Sequence, residues 1–202
     1  IGYIKWDQNR DIVHAVHAGR AGIDAHTRGV YALMDELRAR HPWLEIEACA
    51  SGGARIDLGV LERTDRVWPS DSNDAFERLP IQRWTEALLP LELIGSHVGP
   101  EISHTTGRHL DLDFRMAVSL FGSAGIETDI TKLSPEELDR LRAWTALYRR
   151  ERGLLHSGRL RHLDLGDPGT VATSVVATDR SRALVRVGCG RSFESATRIA
   201  DL

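Results

Sequence analysis

The sequence predicts an α/β fold, in which a parallel sheet with helical crossovers is followed by the start of an antiparallel β-domain. Strand-like apolar runs alternate with amphipathic helical segments over residues 1–153, and this alternation is typical of parallel sheets. Beyond residue 153 the pattern changes to two β-rich runs separated by a polar turn, which is typical of a hairpin. We therefore expect two domains, residues 1–153 and 154–202. The periodicity fits an open sheet and a closed barrel equally well.

The individual elements follow from apolar spacing and from helix start and stop signals. The helix over 134–150 has the clearest start, because Ser134 is an N-cap, Pro135 holds the first helical position and Glu137 completes a capping box. Pro80 is expected to mark a break or a first turn. The other predicted elements are a buried strand over 1–6, a loop with a short helical piece over 13–29, helices over 30–40, 75–89 and 113–121, a connector over 56–61, and strands over 44–49, 65–68, 123–127, 170–178, 183–188 and within 91–98.

Composition excludes several classes of function. Apolar residues make up 42% and charged residues 27% of the chain, as in ordinary globular proteins, and the net charge of −3 gives no basic surface for nucleic acid. No apolar run approaches the roughly 20 residues that span a bilayer, so we expect neither a nucleic-acid nor a membrane partner. Only Cys49 and Cys189 are present, which favours a reducing compartment, and we expect a cytoplasmic protein. Because the sequence starts inside a strand and not at Met, we expect part of a longer protein.

Polar residues stand where predicted strands end. Asp7 closes the first strand, Asp71 follows the run over 66–70, and the turn over 49–53 lies between them in sequence. In a barrel of alternating strands and helices, chemistry takes place at the strand ends. Two carboxyl groups facing across one pocket are the equipment for cleaving a glycosidic bond. Lys5 lies two residues before Asp7, so both side chains can enter the same pocket.

Each of these residues also has a purely structural interpretation. Asp7 could make a strand-end salt bridge or cap a helix, and Cys49 could be an ordinary buried cysteine. Asp74 competes with Asp71 for a role in acid–base chemistry, although its position also fits a cap of the following helix. A separate group of acidic and imidazole side chains matches no standard zinc spacing, so no metal or cofactor is expected there: His97, His104, His109, Asp111 and Asp113.

Several segments resemble, in the same order, landmarks of the α-galactosidases of glycoside hydrolase family 36, the melibiase type. Residues 3–10 resemble that family's K-W-D-x-N-R strand, and residues 49–57 resemble its Cys/Gly-rich turn. Residues 68–82 resemble its W-x-S-D-x-x-D and R-L-x-I-Q segments. Further matches lie at residues 95–98, 106–108, 121–122 and 125–129. The resemblance covers nearly the whole chain.

The resemblance implies a fold and an activity. The family fold consists of an N-terminal β-sandwich, a catalytic (β/α)8 TIM barrel and a C-terminal β-domain, and this chain would hold the C-terminal half of the barrel and the start of the C-terminal β-sandwich. The implied activity is a retaining glycoside hydrolase that releases terminal α-linked galactose from melibiose- or raffinose-type oligosaccharides. The implied partners are this α-galactoside substrate and, in the full-length protein, further copies in a homo-oligomer.

The resemblance also implies roles for individual residues. Asp7 would be the nucleophile and Asp71 the general acid/base. The expected substrate-binding residues are Lys5, Asn9, Cys49, Gly52 and Gly53. From the sequence alone, Asn9 could instead orient Asp7 or be a turn residue, the two glycines could form an ordinary turn, and Arg55 is expected to pair with a carboxylate.

Two alternatives to hydrolysis remain. The same two aspartates would serve a galactosyl transferase of the raffinose-synthase type. Alternatively, the isolated chain is an inactive or poorly stable fragment, because the family's active sites also use residues from earlier strands and a half barrel leaves open sheet edges.

Overall fold

The structure, a computed structural model, describes residues 1–9, 12, 16–167 and 169–189. The chain divides into two compact units, residues 1–71 and residues 72–202. In the described ranges, no helix is long and apolar enough to cross a membrane. The division into a barrel segment over 1–153 and a β-sandwich segment over 154–202 stays a prediction.

The first unit is built on a three-stranded parallel sheet with β4 in the centre, flanked by β1 and β5. Because all three strands run in the same direction, their carboxyl ends meet at one edge of the sheet. The elements are β1 (Tyr3–Asp7), β2 (Val16–His17), β3 (Arg20–Ala21), α1 (Ile23–Arg40), β4 (Glu45–Cys49), α2 (Leu58–Leu61) and β5 (Arg66–Val67).

Two predictions for the first unit are wrong. Helix α1 begins at Ile23 and not at residue 30, because polar contacts stabilise its first turns: Arg28 pairs with Asp24 one turn away, and the Thr27 hydroxyl donates to the Ile23 carbonyl. Strand β1 is not a buried strand but alternates between half-buried and exposed residues. The reason is its place at the edge of the described sheet, where it pairs only with β4.

The second unit contains a parallel pair of strands, three helices and an antiparallel meander. β6 pairs with β7 in parallel, and β9 lies between β8 and β10 in the meander. The elements are α3 (Ala75–Glu86), a 3-10 turn (Leu91–Leu93), β6 (Gly95–Val98), α4 (Leu112–Ser119), β7 (Ser123–Ile126), a 3-10 turn (Ile130–Lys132), α5 (Pro135–Leu155), β8 (Arg159–Leu163), β9 (Thr170–Val176) and β10 (Ala183–Cys189). That the parallel strands of the two units belong to one barrel stays a prediction.

In the second unit, the sequence predicts helix caps and a hairpin more accurately than it predicts helix length. The capping box of Ser134 and Glu137 is confirmed, but α5 continues five residues beyond its predicted end. The predicted hairpin of β9 and β10 is also confirmed, whereas β8 was not anticipated. Pro80 neither breaks α3 nor lies in its first turn, since the helix begins at Ala75, directly after its Asp74 cap, and continues to Glu86, which puts Pro80 in the second turn.

The meander packs onto the helices of this unit through an apolar cluster and one buried ion pair. Phe121, Leu155 and Val175 belong to the cluster. Arg186 on β10 is buried and donates to Glu86 on α3 at 2.8 Å, while its guanidinium lies 4.7 Å from the Phe121 ring centroid. Because a buried charge is stable only when paired, this contact fixes β10 on α3.

Candidate active site

The carboxyl-end edge of the first unit's sheet brings the predicted catalytic side chains together. The register places Asp7 of β1 opposite Cys49 of β4, and the Gln8 amide continues the ladder by donating to the Cys49 carbonyl at 3.2 Å. Beyond β5, the Trp68 amide donates to the Ala48 carbonyl at 2.8 Å. Three adjacent strands therefore deliver Asp7, Cys49 and Asp71 to one edge.

The thiol of Cys49 lies between the two aspartates. Its sulfur is 3.8 Å from Oδ1 of Asp71, to which the thiol donates, and Asp7 is its partner in the register of β1 and β4. Burial, followed by the neighbouring carboxylate of Asp7, raises the pKa of Cys49 to about 11. At neutral pH the side chain is therefore a protonated thiol that donates to a carboxylate, and it lacks the thiolate that a cysteine nucleophile needs.

Asn9 connects Asp7 to the turn after β4. Its Nδ2 donates to Oδ2 of Asp7 at 3.3 Å, and its Oδ1 accepts from the Ser51 amide at 2.6 Å. Because a backbone N–H can only donate, the contact with Ser51 fixes which end of the Asn9 amide faces Asp7. Two functional roles were considered for Asn9, binding the sugar and orienting Asp7. These contacts are the ones that orienting Asp7 requires.

Lys5 lies on the same face of β1 as Asp7 and is exposed. Its Nζ is 4.4 Å from the ring centroid of Trp68, which is within the range of a cation–π contact. Trp68 itself is buried at 2% exposure. The buried ring therefore supports an ammonium group that remains accessible to a ligand.

The glycines of the turn after β4 pack directly on the backbone that leads to Asp71. Gly52 has a φ of +74°, and a Cβ there would lie 2.5 Å from the Ser70 Cα and 2.7 Å from the Asp71 amide nitrogen. A Cβ on Gly53 would lie 2.7 Å from the Pro69 carbonyl oxygen. Only glycine permits both the left-handed conformation and this close approach.

Replacing Gly52 with alanine is expected to destabilise the full-length protein and to lower its activity, because the new methyl group must displace the backbone next to Asp71. Gly19→Ala is the matched control, since Gly19 has the same φ of +74° but nothing within 4 Å of its would-be Cβ. The left-handed conformation costs each variant roughly 1–2 kcal/mol, and the clash adds at least about 2 kcal/mol to Gly52→Ala alone. Urea denaturation measures the difference, and equal losses in the two variants would contradict the packing described above.

Arg55 contacts backbone carbonyl groups, and its expected pairing with a carboxylate stays a prediction. Within the described part of the chain its guanidinium hydrogen-bonds carbonyl groups, donating from Nη2 to Cys49 at 2.7 Å and to Trp6 at 3.0 Å. These bonds tie together the carboxyl ends of β1 and β4. Arg55 therefore supports the edge from below through backbone contacts.

Asp74 caps a helix, which is the structural role that fits its position in the sequence. In the second unit it is fully buried, caps α3 through the amides of Phe76 and Glu77, and also accepts from Thr106 and pairs with Arg108. Its oxygens are occupied by these four donors, so it has little capacity left for proton transfer. Asp71, by contrast, is exposed.

The acidic and imidazole group of the second unit is held in separate pairs. His97 contacts Glu127 at 3.2 Å, His109 contacts Glu101 at 2.8 Å, and Asp113 pairs with Arg140. Asp111 caps α4 by accepting from the Phe114 amide. Across the ranges that the structure describes, no group of three or more potential ligand side chains could hold a metal ion.

A charged layer, not predicted from the sequence, lies one step below the aspartates. Glu47 on β4 is fully buried, and the register places it opposite Lys5 on one side and Arg66 on the other. The available signal was parity, because Glu47 lies two residues before Cys49 and so shares its face of the strand.

The chain is similar to known proteins over most of its length. The profile of the Melibiase family matches residues 1–158. The alpha-galactosidase of Escherichia coli is 44% identical over 187 residues, which cover 93% of this chain and 26% of that protein. The chain thus spans about a quarter of the length of this curated relative.

Two solved structures have the same fold over this region. A variant of the GH36 alpha-galactosidase AgaA from Geobacillus stearothermophilus in complex with raffinose matches with a TM-score of 0.85 at 35% identity, covering 94% of this chain and 27% of that one. Another AgaA variant, in complex with stachyose, matches with a TM-score of 0.84 at 33% identity, covering 100% and 30%. The chain therefore belongs to the melibiase family, the α-galactosidases of glycoside hydrolase family 36.

Proposed function

We propose that the full-length protein is a retaining α-galactosidase that releases terminal α-linked galactose from melibiose- or raffinose-type oligosaccharides. The observation that carries the proposal is the position of Cys49 next to both aspartates, opposite Asp7 in the register and 3.8 Å from Oδ1 of Asp71. Two carboxyl groups at one strand-end edge are the pair that double displacement needs, and in retaining glycosidases they are about 5 to 5.5 Å apart.

In the first step, a carboxylate oxygen of Asp7 attacks the anomeric carbon of galactose. The bond from that carbon to the glycosidic oxygen breaks, and Asp71 gives its proton to the departing oxygen. The products are a galactosyl ester of Asp7 and the released remainder of the oligosaccharide, on which the former glycosidic oxygen is now a hydroxyl group. The bond from Asn9 to Oδ2 of Asp7 supports this step, because it helps to hold the carboxylate in one orientation.

In the second step, the Asp71 carboxylate takes a proton from water, and the water oxygen attacks the anomeric carbon. The ester bond to Asp7 breaks, and galactose leaves with the configuration it had in the substrate. Asp71 ends the cycle protonated, ready for the next leaving group. Its exposure in the first unit is consistent with access of water to this position.

Galactose would be held by the side chains and backbone around the two aspartates. Lys5 would donate from its ammonium group to sugar hydroxyls, and Asn9 and Cys49 would supply further polar contacts. The glycines at 52 and 53 let the backbone approach the ring closely.

The relatives support the proposed substrate class. The AgaA variants were crystallised with raffinose and stachyose, which supports an oligosaccharide with terminal α-linked galactose. The relatives named above are α-galactosidases, so hydrolysis and not transfer to a second sugar is proposed.

Proton NMR of raffinose digestion by the full-length protein tests the proposal. We expect galactose to appear first as the α-anomer and to mutarotate later. Initial release of the β-anomer would contradict retention, and the appearance of larger galactosylated sugars in place of free galactose would favour a transferase. Release of no galactose would overturn the proposed activity.

A further inference from the structure

A second, charged layer of side chains lies directly below the two aspartates in the sheet of the first unit. The parallel register places Glu47 of β4 opposite Lys5 of β1 and opposite Arg66 of β5. One step further along the strands, Asp7 lies opposite Cys49. Since side chains two residues apart share a face, this layer stands on the same face as the candidate site.

Glu47 is the central and most buried member of this layer. It is 0% exposed, and a buried carboxylate requires compensating charges and hydrogen bonds. Burial, together with the neighbouring carboxylate of Glu47, raises the pKa of Tyr3 well above its usual range. Burial lowers the pKa of Arg66, because it disfavours the charged guanidinium. The ion pair with Glu45 and the nearby charge of Glu47 outweigh this effect, so the Arg66 pKa is raised overall.

The two cations beside Glu47 are held in different ways. Arg66 has its own partner in Glu45 at the lower end of the strands. Lys5 contacts the face of Trp68, which attracts an ammonium group but does not fix the direction of its N–H bonds. In the register of β1 and β4, Glu47 is the residue directly opposite Lys5, so its carboxylate places a negative charge next to the lysine side chain.

We infer that Glu47 is a positioning residue for Lys5: its buried carboxylate anchors the lysine between β4 and Trp68, so that the ammonium group is directed at the sugar beside Asp7. The inference rests on the proposed function, because the sugar is the ligand that Lys5 would bind. Glu47 does not touch the reacting atoms and acts only through Lys5.

The test is a double-mutant cycle in the full-length protein with p-nitrophenyl α-galactoside. Glu47→Gln is expected to lower kcat/KM about 10- to 100-fold, the size of one lost contact to a charged group. In a Lys5→Ala background the same substitution is expected to change kcat/KM less than about twofold. Glu45→Gln is the matched control on the same face of β4 and is expected to stay within about twofold of wild type, because Glu45 is exposed and lies one level lower.

Two results would overturn the inference. One is a wild-type kcat/KM for Glu47→Gln, and the other is an equal loss in the presence and absence of the Lys5 side chain. If Glu47→Gln does not yield folded protein, Glu47→Asp keeps the charge but withdraws it by one methylene group. Its loss should likewise vanish in the Lys5→Ala background, and a loss that persists there would overturn the inference.

Chemical labelling gives a readout that does not depend on catalysis. This chain has only two lysines, Lys5 and Lys132, and Lys132 is exposed and distant in sequence. Reductive methylation followed by peptide mass spectrometry should label Lys5 several-fold faster in Glu47→Gln than in wild type, because its side chain is no longer held between β4 and Trp68, with Lys132 unchanged. An unchanged Lys5 rate would contradict the anchoring. If wild type is inactive but Lys5 labelling rises, the proposed function fails and the positioning of Lys5 by Glu47 stands.

Discussion

Asp7→Ala in the full-length protein is expected to lower kcat for p-nitrophenyl α-galactoside at least about 10⁴-fold, the scale of losing a nucleophile. Asp7 ends β1 opposite Cys49, and Asn9 orients its carboxylate. Neither Cys49 nor Asp71 can replace it easily. The Cys49 thiol is protonated, and Asp71 acts on the leaving oxygen and not on the anomeric carbon. Steady-state kinetics measures the loss.

Added azide provides the diagnostic for this variant. A small anion can enter the space left by the Asp7 carboxylate and attack the anomeric carbon, which gives β-galactosyl azide with inverted configuration. Asp24→Ala is the control, since Asp24 is an exposed aspartate on α1 in a surface pair with Arg28, and it should keep wild-type activity. A fully active Asp7→Ala, or an azide product of retained configuration, would remove Asp7 from the nucleophile role.

Asp71→Ala is expected to have an effect that depends on the leaving group. Raffinose has a poor leaving group that needs protonation, so kcat/KM for raffinose should fall about 10²- to 10⁴-fold. For p-nitrophenyl α-galactoside, whose leaving group needs little help, the first step should be much less affected and hydrolysis of the galactosyl-enzyme becomes limiting. Azide should then restore turnover and give α-galactosyl azide of retained configuration.

Asp74→Asn separates the two candidate acids. Asp74 is buried against Arg108 and caps α3, so its substitution should reduce stability by about 3–5 kcal/mol, as for a broken buried ion pair, without making the kinetics dependent on the leaving group. Urea denaturation and the raffinose-to-aryl ratio of kcat/KM report the two effects. Azide rescue in Asp74→Asn and none in Asp71→Ala would exchange the two assignments.

Local sequence signals predicted parts of the fold correctly where neighbouring residues decide the structure. The capping box at Ser134 and the cap at Asp74 are both formed as predicted, because a cap needs only residues within one helical turn. The start of α1 could not be predicted in this way, because apolar spacing is weak before residue 30. The first turns of this helix are stabilised instead by the ion pair of Asp24 with Arg28. Strand β8 was missed because Arg159–Leu163 is short and carries few apolar residues.

The candidate site divides in a similar manner. That Asp7, Cys49 and Asp71 come to one edge follows from parallel strands and their carboxyl ends, which the pattern predicts. The layer of Lys5, Glu47 and Arg66 depends on strand register, and a slip of one residue would turn Glu47 to the other face. Similarly, the contact of Cys49 with Asp71 depends on how the turn at Gly52 packs on the backbone of Ser70. Register and loop packing are tertiary properties that periodicity does not encode.

Trapping the covalent intermediate tests the central claim most directly. The full-length protein would be treated with 5-fluoro-α-galactosyl fluoride, which slows hydrolysis of the galactosyl-enzyme, and then digested for peptide mass spectrometry. We expect a single added fluorogalactosyl group on Asp7, absent in Asp7→Ala and still formed in Asp71→Ala. A label on Asp71, on Cys49 or on another residue would contradict the assignment of Asp7 as nucleophile.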